Sequence, residues 1–140
     1  MISTLQPEAK AVHPLSRFVT VQAIALLLDL KTEQIYRIDC WRYVVHVVGK
    51  GVSTFVSYAD MPPVLGVEPP KPEDINCWRK RWRRNKYKAP NFWTEFYQQQ
   101  FELTPSLTQR HKWGELVSAI AFALPDVAVP LLQRIARPQR

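Results

Sequence analysis

Glycine is scarce in this chain, with four residues in 140, and no glycine-rich loop that could cradle a phosphate is visible. Histidine is as scarce: His13, His46 and His111 show neither metal-ligand spacing nor a catalytic pattern with serine and aspartate. Two cysteines, Cys40 and Cys77, form no CxxC pair. These absences argue against a nucleotide-binding enzyme, a zinc site and a nucleophilic triad, so we expect no cofactor, no metal and no enzyme activity.

The chain also lacks a continuous apolar run of membrane-spanning length. Its longest apolar stretch, residues 117–132, is interrupted by Pro125, Asp126 and Pro130. A secretory signal would show a basic region followed by an apolar one, and the N-terminus shows no such pattern. Widely spaced cysteines are typical of buried thiols in a reducing compartment. We therefore expect a soluble cytoplasmic protein, associated with the nucleoid if it binds DNA.

Positive charge is present and unevenly distributed. The formal net charge is +7, yet residues 1–70 contain six lysines and arginines against six aspartates and glutamates. Residues 71–140 contain thirteen against six. A basic half indicates a polyanionic partner, of which nucleic acid and anionic membrane are the usual candidates.

Two short helices are predicted between residues 20 and 41. Thr20 offers an N-cap hydroxyl, and apolar residues follow at positions 21, 24, 25 and 28, which give one helical face. Thr32 is a second N-cap candidate. The helix after it, residues 33–41, would bury Ile35, Ile38 and Trp41 and turn its polar side outward.

A β-ribbon follows the two helices. Residues 43–48 are β-branched and aromatic, and residues 52–58 return as a second strand after the tip Gly49-Lys50-Gly51. Two helices and a ribbon in this order outline a winged helix-turn-helix, which places one helix in a DNA major groove. The predicted fold class is mainly α with a small β-ribbon wing, followed by a helical C-terminal region.

This block resembles the winged-helix domain shared by MerR-type regulators and excisionases, and is similar to the N-terminal domain of Mu-type transposases. The matching features are the entry helix at residues 21–28, the Thr32…Ile35-Tyr36-Arg37 segment, and a wing that ends in Tyr58-x-Asp60. The resemblance implies base readout by Lys31, Gln34, Tyr36 and Arg37. It implies backbone and wing contacts by Thr32, Arg42 and Lys50. A compact form without an effector domain is similar to the MerR-type repressors found beside type V-K CRISPR-associated transposons, and implies no small-molecule effector.

A dense basic run lies in a third predicted helix, which starts near Glu73 after a proline-rich linker and ends before Pro90. Trp78 and Trp82 would hold this helix on the body of the protein. Seven cations in ten residues repel one another unless an anion is near, which favours phosphate contacts. These are Arg79, Lys80, Arg81, Arg83, Arg84, Lys86 and Lys88. A solvated helix face, a membrane-surface helix and RNA binding are the alternatives.

Further helices are predicted beyond the basic run. An aromatic helix covers residues 92–101, Thr104-Pro105 signals the start of a long helix toward residue 124, and a last short helix precedes Pro138. Winged-helix regulators commonly dimerise on palindromic sites; the alternative is that these helices complete the monomer core. The predicted dimerisation residues are Leu116, Val117, Ile120, Leu131, Leu132 and Ile135.

The sequence thus predicts three regions: a flexible N-terminal arm at residues 1–17, a DNA-binding domain at 18–66, and a basic and dimerising helical region at 73–140. We expect a sequence-specific, double-stranded DNA-binding regulator, a dimeric repressor that occupies a palindromic operator. The alternatives are an excisionase-like accessory factor that bends DNA, and a protein-interaction module that does not bind DNA.

Overall fold

The computed structural model describes residues 13–136 and is mainly helical, with a three-stranded antiparallel sheet. The chain divides into two compact units, residues 1–61 and 62–140. The first contains α1 (Val21–Leu28), β1 (Ile35–Cys40), β2 (Val45–Gly49) and β3 (Val52–Val56). The second contains α2 (Pro72–Arg81), α3 (Phe92–Leu103), α4 (Leu107–Ala119) and α5 (Ala128–Ala136). The coarse fold class is confirmed. Within residues 13–136, no helix has the length and apolar character needed to cross a membrane.

The chain enters the first unit through a short 3-10 helix, Pro14–Phe18, where the sequence predicts the end of an irregular arm. Leu15 and Phe18 are buried, and the His13 ring stacks on Tyr58 with centroids 4.4 Å apart. The segment is too short to show helical periodicity, so only its burial reveals it. Residues 1–12 of the predicted arm lie outside the described residues.

Helix α1 begins as the sequence predicts. The Thr20 side chain accepts a hydrogen bond from the Ala23 amide at 3.1 Å, which satisfies one of the free amides of the first turn. Asp29, in the left-handed region at φ 59°, ends the helix. The buried face is centred on Ala23, Ile24 and Ala25.

The predicted recognition helix over residues 33–41 is wrong. Residues Thr32–Gln34 form one 3-10 turn, and Ile35–Cys40 is a β-strand that pairs antiparallel with β2. The four residues predicted to read bases are therefore not on a helix. Lys31 precedes the 3-10 turn and Gln34 ends it, whereas Tyr36 and Arg37 lie on β1, an edge strand of the sheet. A winged helix-turn-helix needs a second helix at this position, and the structure has a strand there.

A β-bulge explains why this strand resembles a helix in the sequence. The pairing of β1 shifts between Ile35 and Arg37, so Tyr36 is the extra residue. Ile35 then pairs with Gly49, and Ile38 pairs with Val47. Gly49 and Val47 are both buried. The two isoleucines share one side of the sheet although they are three residues apart. That spacing is helical in a regular chain, and the bulge produces it in a strand.

The β2–β3 hairpin confirms the predicted ribbon, with strands shorter than expected. Gly49 pairs with Val52, which leaves Lys50 and Gly51 as the connection. Gly51 has φ +71°, a conformation that residues with a side chain rarely adopt. Gly49 is needed for space instead, because a Cβ there would lie 2.8 Å from the Gln34 carbonyl oxygen. That carbonyl accepts a hydrogen bond from the Lys50 amide at 2.9 Å.

In the second unit, α5 packs against both α3 and α4. Helix α4 begins later than predicted: Ser106, and not Thr104, is its N-cap, and its hydroxyl accepts a hydrogen bond from the Gln109 amide at 3.3 Å. The Thr104 hydroxyl donates to the Gln100 carbonyl at 2.6 Å and so helps to end α3. The buried Tyr97 hydroxyl donates to the Pro63 carbonyl at 2.7 Å, which fastens the start of this unit to α3.

Replacing Gly49 by alanine should destabilise the first unit by about 1–3 kcal/mol, because the new Cβ meets a backbone oxygen and forces the hairpin away from the 3-10 turn. Urea unfolding followed by circular dichroism measures the effect. Lys50→Ala is the control, since it keeps the Lys50 amide and removes only an exposed side chain. Equal stability of the two variants would contradict the close contact.

Candidate functional site

The basic segment, residues 79–88, lies at the end of α2 and in the turn that follows it. Its cations point away from the core: all are exposed except Lys88, which is half-buried. The helix is shorter than predicted, because α2 ends at Arg81 and a 3-10 turn, Arg83–Asn85, continues the chain. The seven cations predicted to meet phosphates therefore share one exposed stretch: Arg79, Lys80, Arg81, Arg83, Arg84, Lys86 and Lys88.

Three tryptophans hold the basic segment on the second unit. Trp78 and Trp82, one helical turn apart, are buried, as the sequence predicts, and their rings stack with centroids 5.8 Å apart. The Trp93 ring from α3 meets both edge-on, at 5.7 and 4.9 Å. An edge-on contact between two aromatic rings stabilises the fold by more than the burial of the ring surfaces alone. The cations next to Trp78 and Trp82 are therefore presented by a rigid support.

The turn after the 3-10 segment is strained. Lys86 and Tyr87 both have positive φ, 57° and 62°, which costs of the order of 1–2 kcal/mol for each residue that carries a side chain. Hydrogen bonds hold the turn: the Tyr87 amide donates to the Trp82 carbonyl at 3.1 Å, and the Asn85 side chain donates to the Lys88 carbonyl at 3.1 Å. The result is a fixed tip with an exposed lysine and a half-exposed Tyr87 ring.

Two arginines of the basic segment, Arg83 and Arg84, are exposed. Among the described residues they take part in neither an ion pair nor a ring contact, whereas the Arg79 guanidinium lies 6.0 Å from the centre of the Phe122 ring. Exposed guanidinium groups with free donors can bind phosphate oxygens in a bidentate manner. Arg83 and Arg84 are the strongest candidates for anion contacts in the second unit.

The residues predicted to read bases do not form one surface. The Gln34 side chain accepts a hydrogen bond from the Lys31 amide at 2.9 Å, so it caps the 3-10 turn. Arg37 is exposed, but its Nε lies 2.7 Å from an Asp39 carboxylate oxygen. Tyr36 is exposed at the bulge. Of the predicted backbone contacts, Thr32, Arg42 and Lys50 are all exposed, on the 3-10 turn, the β1–β2 loop and the β2–β3 hairpin.

An aromatic face covers the solvent side of the sheet, and we use this name for Trp41, His46 and Phe55. Trp41 lies in the β1–β2 loop, and the rings of His46 and Phe55 belong to directly paired residues of β2 and β3. The Trp41 centroid lies 5.3 Å from His46 and 5.2 Å from Phe55, and the last two are 5.0 Å apart. Trp41 and Phe55 remain 49% and 53% exposed. This face was not predicted, because the helical spacing of Ile35, Ile38 and Trp41 placed Trp41 on a buried side.

A row of polar residues crosses the three strands beneath the rings. His46 Nε2 and Ser53 Oγ share a hydrogen bond of 3.2 Å, and His46 Nδ1 lies 4.0 Å from an Asp39 carboxylate oxygen. Sequence reasoning found no such constellation, because it depends on the pairing of β1 with β2. A catalytic triad requires a hydrogen bond between aspartate and histidine, and 4.0 Å exceeds that length. The same Asp39 oxygen is already bound by Arg37. The row therefore fixes the imidazole ring within the aromatic face.

Tyr58 supports the aromatic face from the buried side. Its hydroxyl donates a hydrogen bond to the Trp41 carbonyl, which holds the loop that carries this ring. Burial raises the pKa of the Tyr58 hydroxyl.

Partial burial also raises the pKa of the neighbouring Cys40 thiol. Cys40 and Cys77 are both free and exposed as residues, so the expectation that they are buried is wrong. Among residues 13–136, no cluster of histidine, cysteine and acidic side chains could hold a metal ion.

Most residues expected to form a dimer contact lie inside the second unit. Leu116, Val117, Ile120 and Leu132 are at most 8% exposed, so they complete the core of this chain. This outcome corresponds to the alternative that the sequence left open. Leu131 is the exception with substantial exposure, and Ile135 is half-buried. A contact between two copies would need other surfaces.

No family model, curated protein or solved structure matches the chain. The resemblance to MerR-type regulators and excisionases, including the compact repressors of CRISPR-associated transposons, therefore stays a prediction.

Replacing Tyr58 by phenylalanine should lower the stability of the first unit by about 1 kcal/mol, because the Trp41 carbonyl loses its donor. A shift of the urea unfolding midpoint measures this loss. Tyr43→Phe serves as the matched control, since Tyr43 is 77% exposed and its ring lies beside the Arg42 guanidinium. If the two variants unfold at the same urea concentration, the Tyr58 hydrogen bond contributes nothing.

Proposed function

We propose that the chain binds double-stranded DNA through the basic segment. The observation that supports this most strongly is the division of the segment into two sides. Trp78 and Trp82 are buried in the second unit, and the neighbouring cations are exposed. Mutual repulsion makes such a cluster costly in isolation, and phosphates offset that cost.

The dimensions of the segment suit a DNA backbone. From Arg79 to Asn85 the helical rise gives about 10 Å. That length corresponds to about three phosphates on each strand of B-DNA. Each neutralised phosphate releases condensed counterions, so binding of this kind should weaken steeply with salt. The rigid tryptophan support means that few side chains beyond the cations themselves lose freedom on binding.

The duplex contact involves no recognition helix, because residues 35–40 form a strand. An antiparallel ribbon can also enter a major groove, and β1 presents Tyr36 and Arg37 as exposed side chains. Sequence preference is therefore proposed to come from the sheet of the first unit. The basic segment supplies affinity that does not depend on sequence.

Repression by occupancy of an operator is the cellular role that we propose for this binding, with two copies on a palindromic site. The proposed contact between the two copies does not involve the core residues Leu116, Val117, Ile120 and Leu132. Sequencing of DNA fragments that co-purify with the protein tests the role. Enrichment of inverted repeats near promoters would support it, and uniform recovery of the genome would oppose it.

The double variant Arg83→Ala/Arg84→Ala should weaken binding to every duplex sequence. The slope of log K against log salt concentration should decrease in magnitude by about two, because two phosphate contacts are lost. Fluorescence anisotropy with a labelled random-sequence duplex at several salt concentrations measures the slope.

The matched control is Lys112→Ala/Arg134→Ala, which removes the same charge from exposed positions of the second unit outside the basic segment. It should leave the slope unchanged. Equal decreases in both variants would show that net charge alone attracts DNA. Absence of duplex binding by the unmodified protein at low salt would overturn the proposal, and stronger binding to structured RNA would reassign it.

A further inference from the structure

The aromatic face has no role in duplex binding by the basic segment, and it belongs to the other unit of the chain. Two large rings, Trp41 and Phe55, expose about half of their surface there, at 49% and 53%. Folding leaves this apolar area in water, although the opposite side of β2 buries Val45 and Val47. Contiguous exposed aromatic surface is typical of a binding site.

The rings form a continuous platform. All three centroid distances lie between 5.0 and 5.3 Å, and the planes are inclined by 29° to 62°. Aromatic residues on the open side of a small antiparallel sheet can stack on unpaired bases, as they do in common RNA-binding and single-strand-binding modules. Bases in a duplex are already stacked on each other, so a platform of this kind favours a single strand.

The platform is fixed before any ligand arrives. The Tyr58 hydroxyl holds the Trp41 carbonyl, and Ser53 holds the His46 ring. The Phe55 residue is directly paired with His46 in the sheet. Because these groups are already ordered, stacking a base on them costs little side-chain entropy.

Charge around the platform suits a phosphate backbone. Arg42 follows Trp41 directly in the loop, and Arg37 lies on the same side of β1 as Asp39. Lys50 lies at the opposite end of β2, about 13 Å along the strand from His46. All three cations are exposed. The carboxylate on this side, Asp39, is bound by Arg37 at 2.7 Å. Arg37 offsets this carboxylate, so Arg42 and Lys50 supply the net positive charge of the sheet. A single-stranded nucleic acid, with exposed bases and a phosphate backbone, fits this combination of rings and cations.

We propose that the aromatic face binds single-stranded DNA by stacking bases on Trp41 and Phe55. We assign DNA because recognition of a 2′-hydroxyl needs a free polar partner, and without one an RNA strand gains no contact that DNA lacks. The polar groups of this face, His46, Ser53 and Asp39, are engaged with one another or with Arg37. The inference goes beyond the proposed duplex binding and does not depend on it.

Anisotropy titrations of the full chain with fluorescein-labelled dT12 test the proposal. Trp41→Ala and Phe55→Ala should each weaken binding by about 5-fold to 100-fold, the range expected for loss of one stacked base. Trp41→Phe and Phe55→Tyr keep an aromatic ring and should retain most of the affinity. An abasic strand of equal length, which keeps the phosphates and loses both stacked bases, should bind the unmodified protein at least as weakly as dT12 binds either alanine variant.

Tyr43→Ala is the control, because it removes a 77% exposed ring of the same loop that contacts Arg42; it should bind dT12 normally. Thermal unfolding verifies that each variant is folded. Unchanged dT12 binding by folded Trp41→Ala and Phe55→Ala would overturn the proposal, as would equal binding of the abasic strand. Equal competition by an acidic peptide would point to protein binding instead, and tighter binding of the matching RNA would overturn the assignment to DNA.

The two proposed surfaces fail separately in these experiments. Arg83→Ala/Arg84→Ala should lose duplex affinity. In that double variant, Phe55→Ala should still weaken dT12 binding by the same factor as it does in the unmodified protein. Trp41→Ala should leave the salt slope for duplex DNA unchanged. Loss of one behaviour with retention of the other identifies which inference is wrong.

Discussion

The pairing of β1 with β2 determines the surface that the first unit presents. It places β2 at the centre of the sheet, so that His46 has a neighbour on each side, Asp39 on one strand and Phe55 on the other. The bulge at Tyr36 lets both isoleucines of β1 pair with buried positions of β2. Without this pairing Asp39 would not lie beside His46, whereas the contacts of His46 with Ser53 and Phe55 depend on β2 and β3 alone.

The two units use aromatic side chains in opposite ways. In the second unit, Trp78, Trp82 and Trp93 are buried against one another, and cations occupy the outside. In the first unit, Trp41 and Phe55 are half-exposed, and the exposed Arg42 follows Trp41 directly. Buried rings beneath exposed charge suit the phosphates of a backbone, and exposed rings suit the bases. The difference supports the proposal that the two units contact nucleic acid in different ways.

Local chemistry made part of this structure predictable. Thr20 as an N-cap, the glycine-containing hairpin tip and the one-turn spacing of Trp78 and Trp82 each follow from the residues themselves, and the structure contains all three. Strand β1 was not predictable from spacing, because a bulge imitates helical periodicity. The Asp39–His46–Ser53 row depends on register between strands. The burial of Leu116 and Val117 depends on which helices pack together, which an apolar pattern does not specify.

The exposed cysteines fall one in each unit, Cys40 in the first and Cys77 in the second. Because burial raises the pKa of the Cys40 thiol, a smaller fraction of it is thiolate near neutral pH than for an ordinary cysteine, and it should react more slowly with alkylating reagents. The chain thus carries a natural pair of attachment points for fluorescent dyes. A dye on either cysteine would report on ligand binding to its own unit, without any engineered residue.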